Sequence, residues 1–212
     1  MTQYFFSVDV ETSSTNPFTG ELLTYAIVPI NADTLEIGEG KHWALEYDKN
    51  NFDPATIEWW SQQSLEAQTA AFEGDRMTPS KAAAGILGYV HSFSRELHDR
   101  VFAANPASFD WMWSEKLFAS TPYDTPFSHR TLCMRSVLWG HTGGRWGNSR
   151  YKSSSANYPL IPHHALHDAV SQAKDLVDMI SMIREDAAKD VVVSPEEKGQ
   201  LSFPFWEAVT NA

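Results

Sequence analysis

Asp9 and Glu11 stand one residue apart in the run FFSVDVETSS, residues 5–14. In an extended strand, residues two apart point to the same face. The pair therefore projects side by side with Phe5 and Ser7, while Phe6, Val8 and Val10 take the other face. Two adjacent buried anions are costly unless a proton, a basic group or a cation compensates them. A divalent metal, which favours oxygen ligands, is one such compensator. The two acids alone leave a second reading open. In it the strand frays into solvent at Asp9, and Thr12 to Ser14 begin a loop.

Two further acids share the same kind of context. Asp110, in NPASFDWMW, follows a short apolar strand and falls near the first turn of a helix. Asp168, in HHALHDAVSQA, falls on the first turns of the last helix. Each of the four lies where a strand end meets a loop or a helix start. In open α/β sheets, ligands gather at the carboxyl ends of the strands. Four carboxylates converging there could hold two hard cations, and such a pair performs in-line phosphoryl transfer.

The elements that must position these acids can be read from periodicity and punctuation. QYFFSVDV reads as a buried strand, ELLTYAIVPI as a second, and TLEIGEGKHWALEY as a third that is polar at its edge. NPFTG, residues 16–20, makes a hairpin loop between the first two. DPATIEWWSQQ opens a helix with Asp53 as cap and Pro54 at the first helical position. SLEAQTAAF continues it or forms a second short helix, and TPSKAAAGILGYVHSFSREL is capped by Thr78 or Ser80. RVFAAN is a short strand, SFDWMWSEKLFAS a helix, and FSHRTLCMRSVLWG a strand running into a short helix. HTGGRWGNSRYKSSSANYPLIP reads as a long flexible loop of the kind that often carries function. HHALHDAVSQAKDLVDMISMIRED is the longest helix, with an expected apolar stripe of Leu166, Val170, Ala173, Val177 and Ile180. The order of elements predicts an α/β domain with a mixed sheet.

Bulk composition bounds the rest. The 212 residues suit one domain with an extension, and 42% apolar residues supply a core. Residues 1–185 are expected to form the domain, and 186–212 an extension ending in the apolar LSFPFWEAV, which must pack on the body or on a partner such as a second copy. The single cysteine, Cys133, excludes an internal disulfide. MTQYFFSV lacks the pattern of a signal peptide, and no run reaches membrane-span length, so a cytoplasmic protein is expected. The formal charge of −11 argues against a protein that coats nucleic acid non-specifically. The charge is uneven, however. From Thr125 to His167 there is no acid, and the stretch holds Arg130, Arg135, Arg145, Arg150 and Lys152. That island is either a local basic track or an ordinary loop-rich region that lacks acids.

VDVET, then FD opening a helix, then H-x-x-x-x-D before a helix resemble the ordered motifs of the DnaQ-like DEDDh 3′–5′ exonucleases. IEWWSQQS is similar to the phage and mycobacterial branch of 3′–5′ exoribonuclease-like proteins. The resemblance spans roughly Phe5 to Leu176. It implies a ribonuclease H-like fold with a central mixed sheet of five to six strands flanked by helices. It implies two Mg2+ or Mn2+ ions, RNA or DNA 3′ ends as partner, and nucleoside 5′-monophosphates as product.

The resemblance also assigns roles. Asp9, Glu11 and Asp168 would hold one metal, Asp9 would bridge to a second, and Asp110 would complete the acidic ring. His163 would be the general base. The family spacing puts the histidine five residues before the aspartate, which selects His163. Five helical residues rotate a side chain too far to share a face, so His163 must precede the helix proper, and Pro162 supports a boundary there. His164, four before Asp168, is the rival because it would share the helical face. Trp59 and Trp60 could stack a substrate base or simply fill the core. Thr12 could touch the terminal nucleotide, and Phe109 would pack beneath Asp110. Arg135 could contact phosphate or cap an acid, while Arg145, Arg150 and Lys152 are candidates for gripping the nucleic-acid backbone.

Overall fold

The computed structural model describes residues 2–141 and 160–190. Five strands form one sheet: β1 (Tyr4–Thr12), β2 (Leu22–Asn31), β3 (Lys41–Ala44), β4 (Arg100–Ala104) and β5 (Thr131–Cys133). Their order is β3-β2-β1-β4-β5. β3, β2 and β1 run antiparallel to their neighbours, and β1, β4 and β5 run parallel. The helices are α1 (Pro54–Trp60), α2 (Leu65–Phe72), α3 (Pro79–His91), α4 (Ala107–Ala119), α5 (Met134–His141) and α6 (Ala165–Asp190). This is the mixed α/β sheet that the residue order implied. The described residues up to Met179 make one compact unit. Among the described residues no helix is long and apolar enough to cross a membrane.

β1 sits in the middle and divides its side chains as alternation requires. Phe6, Val8 and Val10 enter a core with Tyr25, Ile27 and Phe102, under Ala83, Ile86 and Val90 of α3 and Trp113 and Leu117 of α4. The odd-numbered side chains face α6. The hydroxyl of Ser7 donates to the carbonyl of Ala169 at 2.9 Å. A second core of Leu23, Trp60, Ala67 and Ala71 gathers α1 and α2 beside it.

Local signals explain the element boundaries. Asp53 caps α1 by accepting from the Thr56 amide at 2.9 Å, with Pro54 at the first helical position. Thr78, not Ser80, caps α3. In the β1–β2 loop, Asn16 accepts the Gly20 amide on its carbonyl at 3.0 Å and the Phe18 amide on its side chain at 3.0 Å. A Cβ on Gly20 would stand 2.4 Å from that of Ser14, so only glycine fits where the hairpin closes.

Two expectations are corrected. The third strand is shorter than predicted, covering Lys41–Ala44, with only an isolated bridge from Ile37 to Ile30 before it. The polar, glycine-broken stretch before Lys41 cannot sustain a ladder. The buried stripe of α6 is also turned relative to the expectation. Ala165, Ala169, Ala173, Leu176 and Met179 are buried, while Leu166, Val170 and Val177 are half-buried. The helix approaches β1 closely enough for the Ser7–Ala169 hydrogen bond, and only small side chains fit at that distance. Ala169→Leu should therefore destabilise the fold by about 1–3 kcal/mol through overpacking, read as a lower urea midpoint with unchanged slope.

Candidate active site

The C-terminal end of β1 opens into a cavity of about 540 Å3. Asp9, Glu11, Asp110, His163 and Asp168 all line it, so residues from three separate segments of chain meet there. One ligand atom each from Glu11, His163 and Asp168 lies within 4.8 Å of the others.

Three of the four carboxylates accept an N–H hydrogen bond, two of them from a different element. Beyond Ser7↔Ala103 the parallel pairing of β1 with β4 ends, because the chain turns at Asn105 into α4. Asp110, on the first turn of α4, then substitutes for a ladder carbonyl: its Oδ1 accepts from the Val10 amide at 3.2 Å. Asp9 Oδ1 accepts from Gln172 Nε2 of α6 at 2.6 Å. Asp168 Oδ2 accepts from the His163 amide at 2.8 Å, while the Asp168 amide donates to the His164 carbonyl at 2.9 Å. The first of these is the side-chain half of a capping box, and the second is an ordinary backbone hydrogen bond of the helix.

The electrostatics follow from this crowding. Burial pushes the Asp9 carboxyl well above its usual value, and Asp110, Glu11 and Asp168 push it further, against the Gln172 hydrogen bond. Burial, then Asp168 and Asp110, raise Glu11 in the same way. Asp110 is pushed up to about 7 by burial, against the Val10 amide. Burial raises Asp168 too, with His163 and His167 pulling it back. No Lys or Arg lines the cavity among the described residues. A buried cluster of oxygen donors with no cationic side chain fits a hard divalent ion. Glu11 and Asp168, whose ligand atoms lie within 4.8 Å of each other and of one from His163, are the carboxylates that could hold one, and Asp9 and Asp110 line the same cavity.

His163 precedes α6, with φ of 62°, a conformation that non-glycine residues seldom adopt. Its ring meets Trp59 edge-on at 4.7 Å. His164 does not line the cavity. Its ring stacks on His167 at 4.2 Å and lies 5.5 Å from His42 of β3. His167 has a structural part, accepting the Ile161 amide on Nδ1 at 3.0 Å.

The two tryptophans separate. Trp60 is 2% exposed and donates its indole N–H to the Thr12 carbonyl at 3.0 Å. It forms part of the cavity wall and fills the core beside α2, the second of the two parts open to it from sequence. Trp59 is 40% exposed at the cavity's rim. Thr12 and Phe109 also line the cavity, with the Thr12 hydroxyl donating to the Ser14 carbonyl at 2.8 Å. Arg135 is exposed on α5 and does not line it. Arg145, Arg150 and Lys152 lie outside the described residues, as does LSFPFWEAV.

Sequence reasoning missed Gln172, which holds Asp9. The available signal was its position four residues after Asp168, hence on the same helical face. Thr15, Asp53 and Thr56 were also missed as wall residues. Asp53 was noticed only as a cap.

Comparison with known proteins places this geometry. Residues 4–180 match the family model of the 3′-5′ exoribonuclease Rv2179c-like domain. The chain is 30% identical over 188 residues to the 3′-5′ DNA exonuclease Cap18 of Escherichia coli, covering 84% of this chain and 94% of that protein. In fold it is similar to the nuclease domain of 3′hExo, a DEDDh family member solved bound to rAMP. The TM-score is 0.65 at 16% identity, over 85% of this chain and 93% of that one. It is also similar to Pop2p of S. pombe, solved in an Mg2+- and Mn2+-bound form. There the TM-score is 0.62 at 10% identity, over 84% of this chain and 82% of that one.

The raised carboxyls generate a linkage prediction. In the unfolded chain they return to about 4. Their contribution to stability is fully present below that value and is lost as pH rises through the raised native values. A divalent cation binds the ionised forms and reverses the loss. Mg2+ or Mn2+ should raise the Tm more at about pH 8 than at about pH 5. Asp9→Asn should raise the metal-free Tm at the higher pH and shrink the cation's increment. Differential scanning fluorimetry checks both; a Tm indifferent to the cation at either pH contradicts them.

Proposed function

Because the chain belongs to the family of the 3′-5′ exoribonuclease Rv2179c-like domain, we propose that it is a 3′–5′ exonuclease dependent on two divalent ions, Mg2+ or Mn2+. In this reading it removes nucleoside 5′-monophosphates from single-stranded 3′ ends, with RNA as substrate. The observation that carries the reading is the convergence of Glu11, His163 and Asp168 donor atoms within 4.8 Å, in the cavity that Asp9 and Asp110 also line. The Mg2+- and Mn2+-bound form of Pop2p supports the choice of ion.

Asp9, Glu11 and Asp168 would hold one ion, and Asp9 with Asp110 the second. Bound there, the ions neutralise the carboxylates, polarise the scissile phosphate and lower the pKa of water. The chain's own residues do the rest. His163 takes a proton from the attacking water on an imidazole nitrogen, and its ring is held against Trp59. The water oxygen bonds to phosphorus, the bond to the 3′-oxygen of the preceding nucleotide breaks, and that oxygen takes a proton from solvent. Gln172 fixes the rotamer of Asp9, and Val10 fixes that of Asp110. The half-exposed ring of Trp59 at the cavity supports a part for it in stacking the terminal base, and Phe109 and Thr12, which line the same cavity, would flank the nucleotide. Arg145, Arg150 and Lys152 are retained from sequence as backbone contacts. The chemistry is assigned to residues 1–185, with 186–212 as an extension.

DNA is the second reading. It is favoured by the 30% identity to Cap18, a DNA exonuclease by name, over 94% of that protein's length. The sugar's 2′-hydroxyl is what distinguishes the two substrates.

Digestion of matched RNA and DNA oligomers with and without Mg2+ tests the reading. Mononucleotides should appear only with the cation, and faster from RNA. Faster release from DNA selects the second reading, and no release from either contradicts both. His163→Asn keeps a residue that tolerates positive φ. It should lower kcat by about a hundredfold or more with an unchanged Tm. Equal loss from His164→Asn, with His163→Asn silent, would reverse the assignment of the base.

A further inference from the structure

A second cavity lies at the other end of the parallel strands. It encloses about 180 Å3, and Arg100, Arg130, His98, Ser128 and Thr131 contribute to its lining. Among the described residues, none of those lining it is an acid. Arg100 opens β4 and Thr131 opens β5, whereas the carboxylates stand at or beyond the closing ends of β1 and β4. The seven residue steps from Tyr4 to Glu11 in extended chain put the ends of β1 about 23 Å apart. One phosphate group cannot reach both cavities.

Arg100 is the unusual feature. It is 6% exposed, among the few buried charged residues of those described. Its Nε donates to the Glu96 carbonyl at 3.2 Å. Its Nη1 is sealed from solvent and has no hydrogen-bond partner among the described residues. A guanidinium presents five donors and does not lose its charge in proteins. Desolvation works against that charge, with Glu96 supporting it and Arg95 opposing it. A buried, incompletely paired cation is costly, and an anion beside it relieves the cost. The neighbours suit an oxyanion. Arg130 is exposed, Ser128 and Thr131 bring hydroxyls, and the Arg130 amide already donates to Ser128 Oγ at 3.3 Å. Arginine forks match the oxygens of a phosphate, and the volume suits one phosphate group better than a whole nucleotide.

We propose that this cavity is a phosphate-binding site, separate from the carboxylate pocket, in which Arg100 and Arg130 clamp a single phosphate group. The group comes either from free inorganic phosphate or from the terminal phosphate of a mononucleotide. The site does not depend on the exonuclease reading, because none of its residues takes part in that chemistry.

Calorimetric titration of the full chain in EDTA tests it, with chloride controls at matched ionic strength. Without divalent ions the carboxylate pocket repels anions, so it does not contribute. Inorganic phosphate should bind saturably at one site. Arg130→Ala, an exposed position that leaves the fold intact, should weaken binding roughly tenfold, and Arg100→Met should abolish it. If 5′-AMP binds at the same stoichiometry and is lost in the same variants, the site takes a mononucleotide's phosphate. If phosphate binds and 5′-AMP does not, it takes the free anion. No saturable binding, or binding unchanged in folded Arg130→Ala, overturns the proposal.

Discussion

The whole cavity depends on gathering anionic side chains at one end of the sheet without letting their repulsion open it. Among the described residues, three of the four carboxylates accept an N–H hydrogen bond, two from a different element and one from just ahead of the helix. Val10 holds Asp110, Gln172 holds Asp9, and the His163 amide holds Asp168. The Val10–Asp110 hydrogen bond is the pivotal one. It forms where β4 leaves the sheet, so the side chain that α4 sends back completes the ladder and lines the cavity at once. Each of these hydrogen bonds restrains both the distance and the direction of the carboxyl it holds. They offset only part of the crowding, which is why burial and mutual repulsion still leave all four carboxyls raised.

The same logic explains why this end of the molecule is built from short, small or capped pieces. Asp9 pairs across the sheet with Ala26, a residue small enough to leave room above it. α6 reaches its place over β1 by presenting alanines, and it carries Asp168 and Gln172 one turn apart. Trp60 closes the wall by donating to the Thr12 carbonyl, just beyond the register shift at Glu11 and Thr12 that ends the regular pairing with β2. Trp59, beside it, is partly exposed at the cavity and packs against His163. One tryptophan therefore serves structure and the next serves the cavity, although they are neighbours in sequence.

Much of this was legible in the residues. Strict alternation in β1 identified which side chains share a face, and Asp53–Pro54 and Thr78 marked helix starts through local hydrogen bonds that involve only near neighbours. His163 could be placed ahead of α6 because rotation per residue is fixed in a helix. What could not be read depends on contacts distant in sequence. The facing stripe of α6 follows from how closely the helix approaches Ser7, and periodicity alone prefers the larger Leu166 and Val170. Gln172 gains its meaning only once Asp9 is known to lie under that face. Burial of Trp60 requires knowing that the Thr12 carbonyl points at it. The placement of Arg100 beside a cavity likewise depends on three strands meeting at one edge, which no local pattern announces.

The central claim is that the crowding of Asp9, Glu11, Asp110 and Asp168 is relieved by bound divalent cations. The most direct measurement is the anomalous difference map of a crystal soaked in Mn2+. The claim requires strong peaks coordinated by Asp9, Glu11 and Asp168 within the cavity, with Asp110 beside them and His163 facing the same space. Carboxylates that turn away from one another in the soaked crystal, with no peak between them, would contradict it.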